Sequence, residues 1–462
     1  MTDELYFASA TWLAERLRTG ELSSLEVVDA YLARIEQVNP RLNAVVRLND
    51  AAREEARRAD QELASGAVRG PLHGLPFTAK DSLDTAGVVT TAGTVAWRER
   101  IPTRDATVVR RVRAAGGILL GKTNTPEFTW SSETDNDVYG KTSNPYDLSR
   151  SPGGSSGGPA AIVAAGGSPF DIGSDTGDSI RQPSHVCGIA GLKPTSGRVP
   201  RTGHWPGYQG LFESFTQLGP MARRVEDLEL LLPILAGPDG EDPHVPPVAL
   251  RDPSVVDIAS LRVVAFTNNG IQTPTAETVS AVEAAVEAIT GAGAKVRREV
   301  PPGLADAWAA WDGMIRADGF AWLHRLIAAA GTEGWGSYAT RDWITPGAPL
   351  PGDELTDLIE RADAIRARLL HWVQDVDLIV CPVAPHPAIR HGQSSDPRFN
   401  DTYSDVHNLT GWPAAVVRGG SSGEGLPIGV QLIAQPWRED VALAGARVVE
   451  AASGGWQPPT LW

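Results

Sequence analysis

Pro152-Gly153-Gly154-Ser155-Ser156-Gly157-Gly158 and, a short way on, Gly173-Ser174-Asp175-Thr176-Gly177-Asp178-Ser179-Ile180-Arg181 decide the reading of this chain. By composition alone, the glycine- and serine-rich stretch 140–200 would pass for a flexible linker. The residues between the two clusters argue otherwise. Ala160-Ala161-Ile162-Val163-Ala164-Ala165 reads as a buried helix of small residues, which lets backbones pack closely. Cys187-Gly188 and Gly191-Leu192-Lys193-Pro194-Thr195 follow. The stretch is therefore read as the packed centre of a fold.

Outward from this centre, the texture is that of an α/β protein. Upstream, Ser23 with Glu26 three residues later is a capping-box pattern. Val28, Tyr31, Leu32 and Ile35 then recur at helical spacing, and Asn39-Pro40 is expected to stop that helix. Ala51 to Gly66 reads as a second helix, so residues 1–66 form a helical N-terminal part. From about 70, short apolar runs alternate with turns, as in Gly74-Leu75-Pro76-Phe77-Thr78-Ala79 and Gly117-Ile118-Leu119-Leu120, with a helix over Thr107 to Ala114 between them. Downstream, helices are expected over 225–236, 275–290 and 354–374, and strands over Leu261–Phe266 and Val376–Cys381. Five of the 14 tryptophans, Trp308, Trp311, Trp322, Trp335 and Trp343, fall in 301–352. They read either as the packing of a helical insert or as a hydrophobic substrate wall.

Composition narrows the function classes. The 462 residues include 48 Gly and 35 Pro, 42% are hydrophobic and 21% charged, which fits a loop-rich globular protein and not a disordered one. The net charge of −15 argues against nucleic acid or an anionic membrane as partner. Two cysteines, Cys187 and Cys381, make no disulfide framework. The acidic Met1-Thr2-Asp3-Glu4-Leu5 is not a basic-then-apolar leader, so a cytoplasmic setting is the expectation.

Two motifs mislead. Gly116-Gly117-Ile118-Leu119-Leu120-Gly121-Lys122-Thr123 fits the P-loop spacing, but Ile118-Leu119-Leu120 stands where the polar loop should be and reads as a strand. Gly153-Gly154-Ser155-Ser156-Gly157 fits a nucleophile elbow, but the residues before it, Asn144 to Pro152, read as loop and not as the buried strand an elbow needs. The nine histidines form no metal-ligand spacing, and no metal or organic cofactor is implied.

Taken in order, the central clusters, the upstream Gly74 to Asp81 segment, Lys122-Thr123-Asn124, Asn144-Pro145, Asn408-Leu409-Thr410-Gly411 and Gly425-Leu426-Pro427-Ile428-Gly429-Val430-Gln431 closely resemble the amidase signature family. The resemblance runs over nearly the whole chain and is weakest at 237–375. It implies a single α/β domain over 1–462, with a large mixed central sheet flanked by helices, a signature core at about 70–236 and a variable, tryptophan-rich substrate region at about 300–352. It also implies a Ser–cis-Ser–Lys triad. By motif match, Lys80 is the base, Ser155 the bridging serine after a cis peptide, and Ser179 the nucleophile. Ser156 is a supporting hydroxyl, and Asp175 and Arg181 stabilise the loop, here read as an ion pair. The oxyanion is assigned to backbone N–H groups of Thr176, Gly177, Asp178 and Ser179. Such a set works without histidine if burial makes the lysine neutral enough to take a serine proton.

The chain departs from the family at Gly177-Asp178-Ser179, where the family has Gly-Gly-Ser. A carboxylate aimed at an oxyanion would oppose catalysis, so Asp178 is expected to turn toward a donor or solvent, or else to meet the leaving group or a cationic substrate. Thr129 and Trp130 replace acyl-pocket residues of some members. With the tryptophan-rich insert they point to apolar or aryl substrates, as amides, esters or carbamates, in preference to polar amino-acid amides. The expected partner is such a small molecule, with the chain a monomer or homodimer. Two alternatives stand beside this reading. One is the A subunit of a glutamyl-tRNA amidotransferase, although that group carries Ser-Ser-Leu-Asp-Gln where this chain has Glu213-Ser214-Phe215-Thr216-Gln217. The other is an inactive binding homologue, against which the presence of all three triad residues argues.

Overall fold

The computed structural model describes residues 2–207, 209–331, 347–396 and 402–461. Trp335 and Trp343 lie outside them. Eleven strands are described: β1 (Val45–Leu48), β2 (Pro76–Lys80), β3 (Ile118–Thr123), β4 (Phe170–Asp175), β5 (Ala190–Lys193), β6 (Gln217–Ala222), β7 (Arg262–Ala265), β8 (Lys295–Arg298), β9 (Leu378–Pro382), β10 (Ala414–Ser421) and β11 (Pro427–Ala434). Eight of them form a mixed sheet in the order β4-β6-β5-β10-β11-β9-β7-β8, and β1-β3-β2 form a smaller one. The pairs from β4 through to β9 are antiparallel, whereas β7 runs parallel to both β8 and β9. The helix Ala276–Gly291 makes the crossover from β7 to β8. This is the single-domain α/β architecture with a large mixed sheet and flanking helices. Among the described residues, no helix is long and apolar enough to cross a membrane.

The large sheet is apolar on both faces, which explains why its central strands read as continuous hydrophobic runs. Alternate side chains of a strand point to opposite faces. Val263 and Ala265 of β7, Leu378 and Val380 of β9, and Leu432 of β11 join one apolar core, together with the helices Val225–Leu235, Ala276–Gly291 and Glu439–Ser453. Their neighbours Val264, Ile379, Cys381 and Ile433 join the other. That second core holds the tryptophan-rich helices Leu304–Arg316 and Ala321–Ala330 and the long helix Gly352–Trp372.

The helix that the capping box announces runs over Ser24–Leu42, with both bonds of the box formed. Contrary to expectation, Asn39-Pro40 does not end it. A proline removes its own N–H bond from a helix and crowds the carbonyl four residues back, yet here the helix runs two residues past Pro40, to Leu42. The stop comes at Asn43, in the left-handed conformation at φ 52°, with its N–H bonded to Asn39 O. The Asn39 side chain then accepts the N–H groups of Ala44 and Val45, turning the chain into β1.

The small sheet is fastened to the large one where it matters for the site. Phe77 of β2 stacks on Phe170 of β4 at 5.6 Å. The buried Asp171 carboxyl of β4 accepts from Thr78 Oγ1 of β2 at 2.6 Å and from Thr123 Oγ1 of β3 at 3.0 Å. These contacts bring the ends of β2 and β4, Lys80 and Ser174-Asp175, side by side. Asp171→Ala leaves two buried hydroxyls without an acceptor. It is expected to cost about 1–3 kcal/mol, read as a lower urea midpoint, whereas Asp171→Asn, which keeps an acceptor oxygen, loses less.

Candidate active site

Lys80 closes β2 and is fully buried. Its Nζ lies 2.7 Å from Ser155 Oγ, 2.9 Å from Ser156 Oγ and 2.9 Å from Ser174 Oγ. Burial drives its pKa well below the ordinary lysine value, against the opposing pull of Asp175, Asp171 and Asp178. Three hydroxyls suit a neutral amine well. Its two N–H groups can donate to two of them, while its lone pair receives the proton of the third.

The two adjacent serines arrive on the turn that opens the helix Gly157–Ala164, and the Gly154–Ser155 peptide is cis. The turn fits only without side chains. A Cβ on Gly154 would stand 2.6 Å from Ser131 O, and one on Gly158 would stand 2.4 Å from the Asn124 backbone. Ser156 also bridges to the next strand, donating to Ser174 O at 3.2 Å and accepting from Ser174 N at 3.3 Å.

Ser179 sits on the loop between β4 and the helix Arg181–Val186, 9% exposed, and its carbonyl accepts from Ser156 N at 3.2 Å. The loop is shaped from below by Asp175 and Arg181, both fully buried. Arg181 Nε and Nη2 donate to Asp175 Oδ2 and Oδ1 at 3.0 and 2.9 Å. The same guanidinium holds Gly177 O, Ser404 O and Asn408 Oδ1. Asp175 Oδ2 also accepts from the backbone N–H groups of Ile180 and Arg181. Burial pushes the Asp175 carboxyl up, but the charge and hydrogen bonds of Arg181 outweigh it and hold the pKa at about 2. With the carbonyls of the loop so engaged, the N–H groups of Gly177 and Ser179 have no hydrogen-bond partner among the described residues.

Asp178 is buried, and one donor to it is the hydroxyl of the neighbouring serine: Ser179 Oγ donates to Asp178 Oδ1 at 3.4 Å. No hydrogen bond joins Ser179 Oγ to Ser155 Oγ. Thr129 and Trp130 lie at a short turn, Glu127–Thr129, and both are buried. Trp130 makes edge contacts with Phe212 and Phe320, and Phe212 leans on Trp322 of the insert, so the two tryptophan features noted in the sequence meet in one aromatic wall.

A family model described as Amidase matches residues 26–443. The chain belongs to the amidase signature family. It is accordingly an amidase that cleaves carbon–nitrogen bonds. The A subunit of the glutamyl-tRNA(Gln) amidotransferase of Thermus thermophilus is 38% identical over 460 residues, 93% of this chain and 94% of that one. A fatty acid amide hydrolase superposes with a TM-score of 0.89 at 26% identity, over 98% of this chain and 86% of that chain. A 6-aminohexanoate cyclic dimer hydrolase, solved with its substrate, gives 0.88 at 29% identity, over 99% of both chains.

Three residues at this amidase's site went unassigned in the sequence reading. Ser174 lies inside a quoted motif, and only its place at the end of β4 reveals that it faces Lys80. Asn408 and Asp405 come from more than 200 residues downstream of the loop they touch. Breaking the Asp175–Arg181 pair strands a buried charge, so Arg181→Ala is expected to cost about 3–5 kcal/mol in a denaturant titration. Because the folded pKa of Asp175 lies below its unfolded value near 3.9, its contribution is complete above about pH 4 and is lost as the pH falls toward 2. Asp175→Asn removes that acid step.

Proposed function

We propose that this amidase hydrolyses carboxamides bearing an apolar or aryl group, through an acyl-enzyme on Ser179 with Ser155 and Lys80 relaying protons. The observation that carries the reading is Lys80 buried in a ring of serine hydroxyls beside the Ser179 loop. In this mechanism neutral Lys80 takes a proton from Ser155 as Ser155 takes one from Ser179. The Ser179 hydroxyl first swings from Asp178 to Ser155. Its oxygen attacks the amide carbon, and the oxyanion is held by backbone N–H groups of the Thr176 to Ser179 turn, with Gly177 and Ser179 the available donors. The relayed proton returns to the leaving nitrogen as the C–N bond breaks. Water then attacks the ester, giving its proton to the same relay, and the acid leaves. Ser156 and Ser174 hold the amine in place, and the Asp175–Arg181 pair holds the loop. The wall formed by Trp130, Phe212, Phe320 and Trp322 supports an apolar substrate.

A second reading, an amidotransferase A subunit, is favoured by the 38% identity to one. Against it stand Asp178 and the Glu213 to Gln217 segment. Glutamine turnover that appears only when partner subunits are added would establish it, whereas hydrolysis of an aryl amide by the chain alone supports the first.

Ser179→Ala is expected to abolish turnover of an aryl amide, and Lys80→Met to lower kcat/KM by about 10²–10⁴-fold. As the pH falls through the Lys80 pKa the amine takes up a proton and the rate drops. Wild type should therefore show an acid limb well below the ordinary lysine range, with a plateau above it. A rate that climbs steadily to pH values near 10 would count against Lys80 as the base.

A further inference from the structure

The N–H groups of Gly177 and Ser179 serve an oxyanion only while their peptides are held at one rotation. In a trans peptide the C=O and the N–H point in opposite directions, so whatever holds one carbonyl also aims the N–H of the next residue. The loop shows such a hold at each step. Gln182 N donates to Asp178 O at 2.8 Å, which aims Ser179 N–H, and Arg181 Nη2 donates to Gly177 O at 2.6 Å. Both donors belong to the helix Arg181–Val186 that follows the loop. The carbonyl before Gly177 is held from elsewhere. Thr176 O accepts from Trp311 Nε1 at 3.3 Å, and Trp311 lies on the helix Leu304–Arg316 of the tryptophan-rich insert. The Thr176–Gly177 peptide is trans, so this indole fixes the direction of Gly177 N–H.

This is the peptide that most needs an outside hold. Thr176 and Gly177 are half-buried, whereas Asp178 and Ser179 are buried. Glycine accepts φ of either sign, so the peptide before it turns over at little cost unless something stops it. Trp311 stops it twice. Its Nε1–H takes the carbonyl, and its ring covers the glycine, with a ring carbon 2.9 Å from where a Cβ on Gly177 would stand. Asp405 Oδ1 lies 2.8 Å from the same position. Three residues before Trp311 on its helix, Trp308 donates through Nε1 to Asp405 Oδ2 at 3.2 Å, so the helix is also moored to the segment that packs on Gly177. Trp311 itself is buried in the apolar core that Trp130, Phe212 and Phe320 join.

We infer that Trp311 is a positioning residue for the oxyanion hole: by holding Thr176 O it aims Gly177 N–H at the oxygen of the carbonyl under attack. The helix that packs with the aromatic wall thereby also sets the rate of the chemical step. The inference rests on the proposed attack by Ser179, and the test separates the two. Turnover of an aryl amide and the second-order rate of Ser179 labelling by a fluorophosphonate, whose phosphoryl oxygen takes the oxyanion position, are measured with the full chain. Trp311→Phe keeps an aromatic ring and loses the donor. Trp311→His loses the six-membered ring, but with its ring turned over, Nε2–H stands where Nε1–H stood. Trp311→Phe is expected to lower kcat and the labelling rate by about tenfold or more, with KM within about threefold of wild type. Trp311→His should retain more of both rates than Trp311→Phe. Replacing the Trp311 indole by benzothiophene, which keeps the shape and puts sulfur in place of Nε1–H, should reproduce the Trp311→Phe loss without opening a cavity.

Wild-type rates in the benzothiophene protein would overturn the inference and leave the nucleophile assignment standing. A larger loss in Trp311→His than in Trp311→Phe would overturn it too, because packing and not the donor would then decide, as would a change confined to KM. Wild-type turnover by Ser179→Ala, or a wild-type chain that neither turns over the amide nor takes the label, would bring down the nucleophile assignment and the inference together.

Discussion

The burial of one primary amine among three serine hydroxyls is the constraint around which this molecule is arranged. Lys80 can be enclosed at 0% exposure only if its charge is given up or compensated, and among the described residues no carboxylate touches its Nζ. Hydroxyls resolve the difficulty because each can donate or accept. The three that do so come from two places, the Ser155-Ser156 turn and the end of β4. The small sheet must therefore sit against the large one, which the Asp171 carboxyl and the Phe77–Phe170 stack ensure. The glycines around Ser155 follow from the same demand, since the turn must press against Ser131 and Asn124 to reach the amine.

Comparison with the other lysines sharpens the point. The chain has five, and Lys122 and Lys193 are also fully buried. Burial lowers their pKa to about 8 and about 7. Their surroundings differ in kind. Lys122 faces Leu83 O and Thr85 Oγ1, and Lys193 faces Trp412 O and Pro194 O. Carbonyl oxygens only accept, and the Thr85 hydroxyl donates its proton to Leu83 O, so these groups hold an amine by its N–H groups and leave its lone pair idle. Lys80 alone of the three is surrounded wholly by hydroxyls, of which the one on Ser155 is free to hand it a proton. Depressed basicity thus marks three lysines, and the partners single out one.

Much of this was legible in the sequence, for a physical reason. The lysine, the paired serines and the Ser179 loop each lie in a short local motif whose glycines and polar residues serve backbone geometry, so the motif carries its conformation with it. The β3 strand under the P-loop spacing was legible from its apolar run. What escaped is what tertiary structure assembles. The helix runs two residues past Pro40, and the stop was set by Asn43. Ser174 was visible as a residue but not as a partner of Lys80, because which side of β4 faces β2 depends on sheet packing. Asp405 and Asn408 reach the catalytic loop from the far side of the insert, and the aromatic wall joins Trp130, Phe212, Phe320 and Trp322 from three separate segments. No spacing in the chain records such meetings.

The account stands or falls on the protonation state of Lys80. With only five lysines, labelling their ε-carbons with carbon-13 gives a spectrum in which each can be followed through a pH titration and assigned by substitution to Arg. The account predicts that the Lys80 signal has the chemical shift of a neutral amine at neutral pH and titrates well below the ordinary lysine range. A Lys80 signal that remains that of an ammonium until the pH approaches about 10 would contradict it.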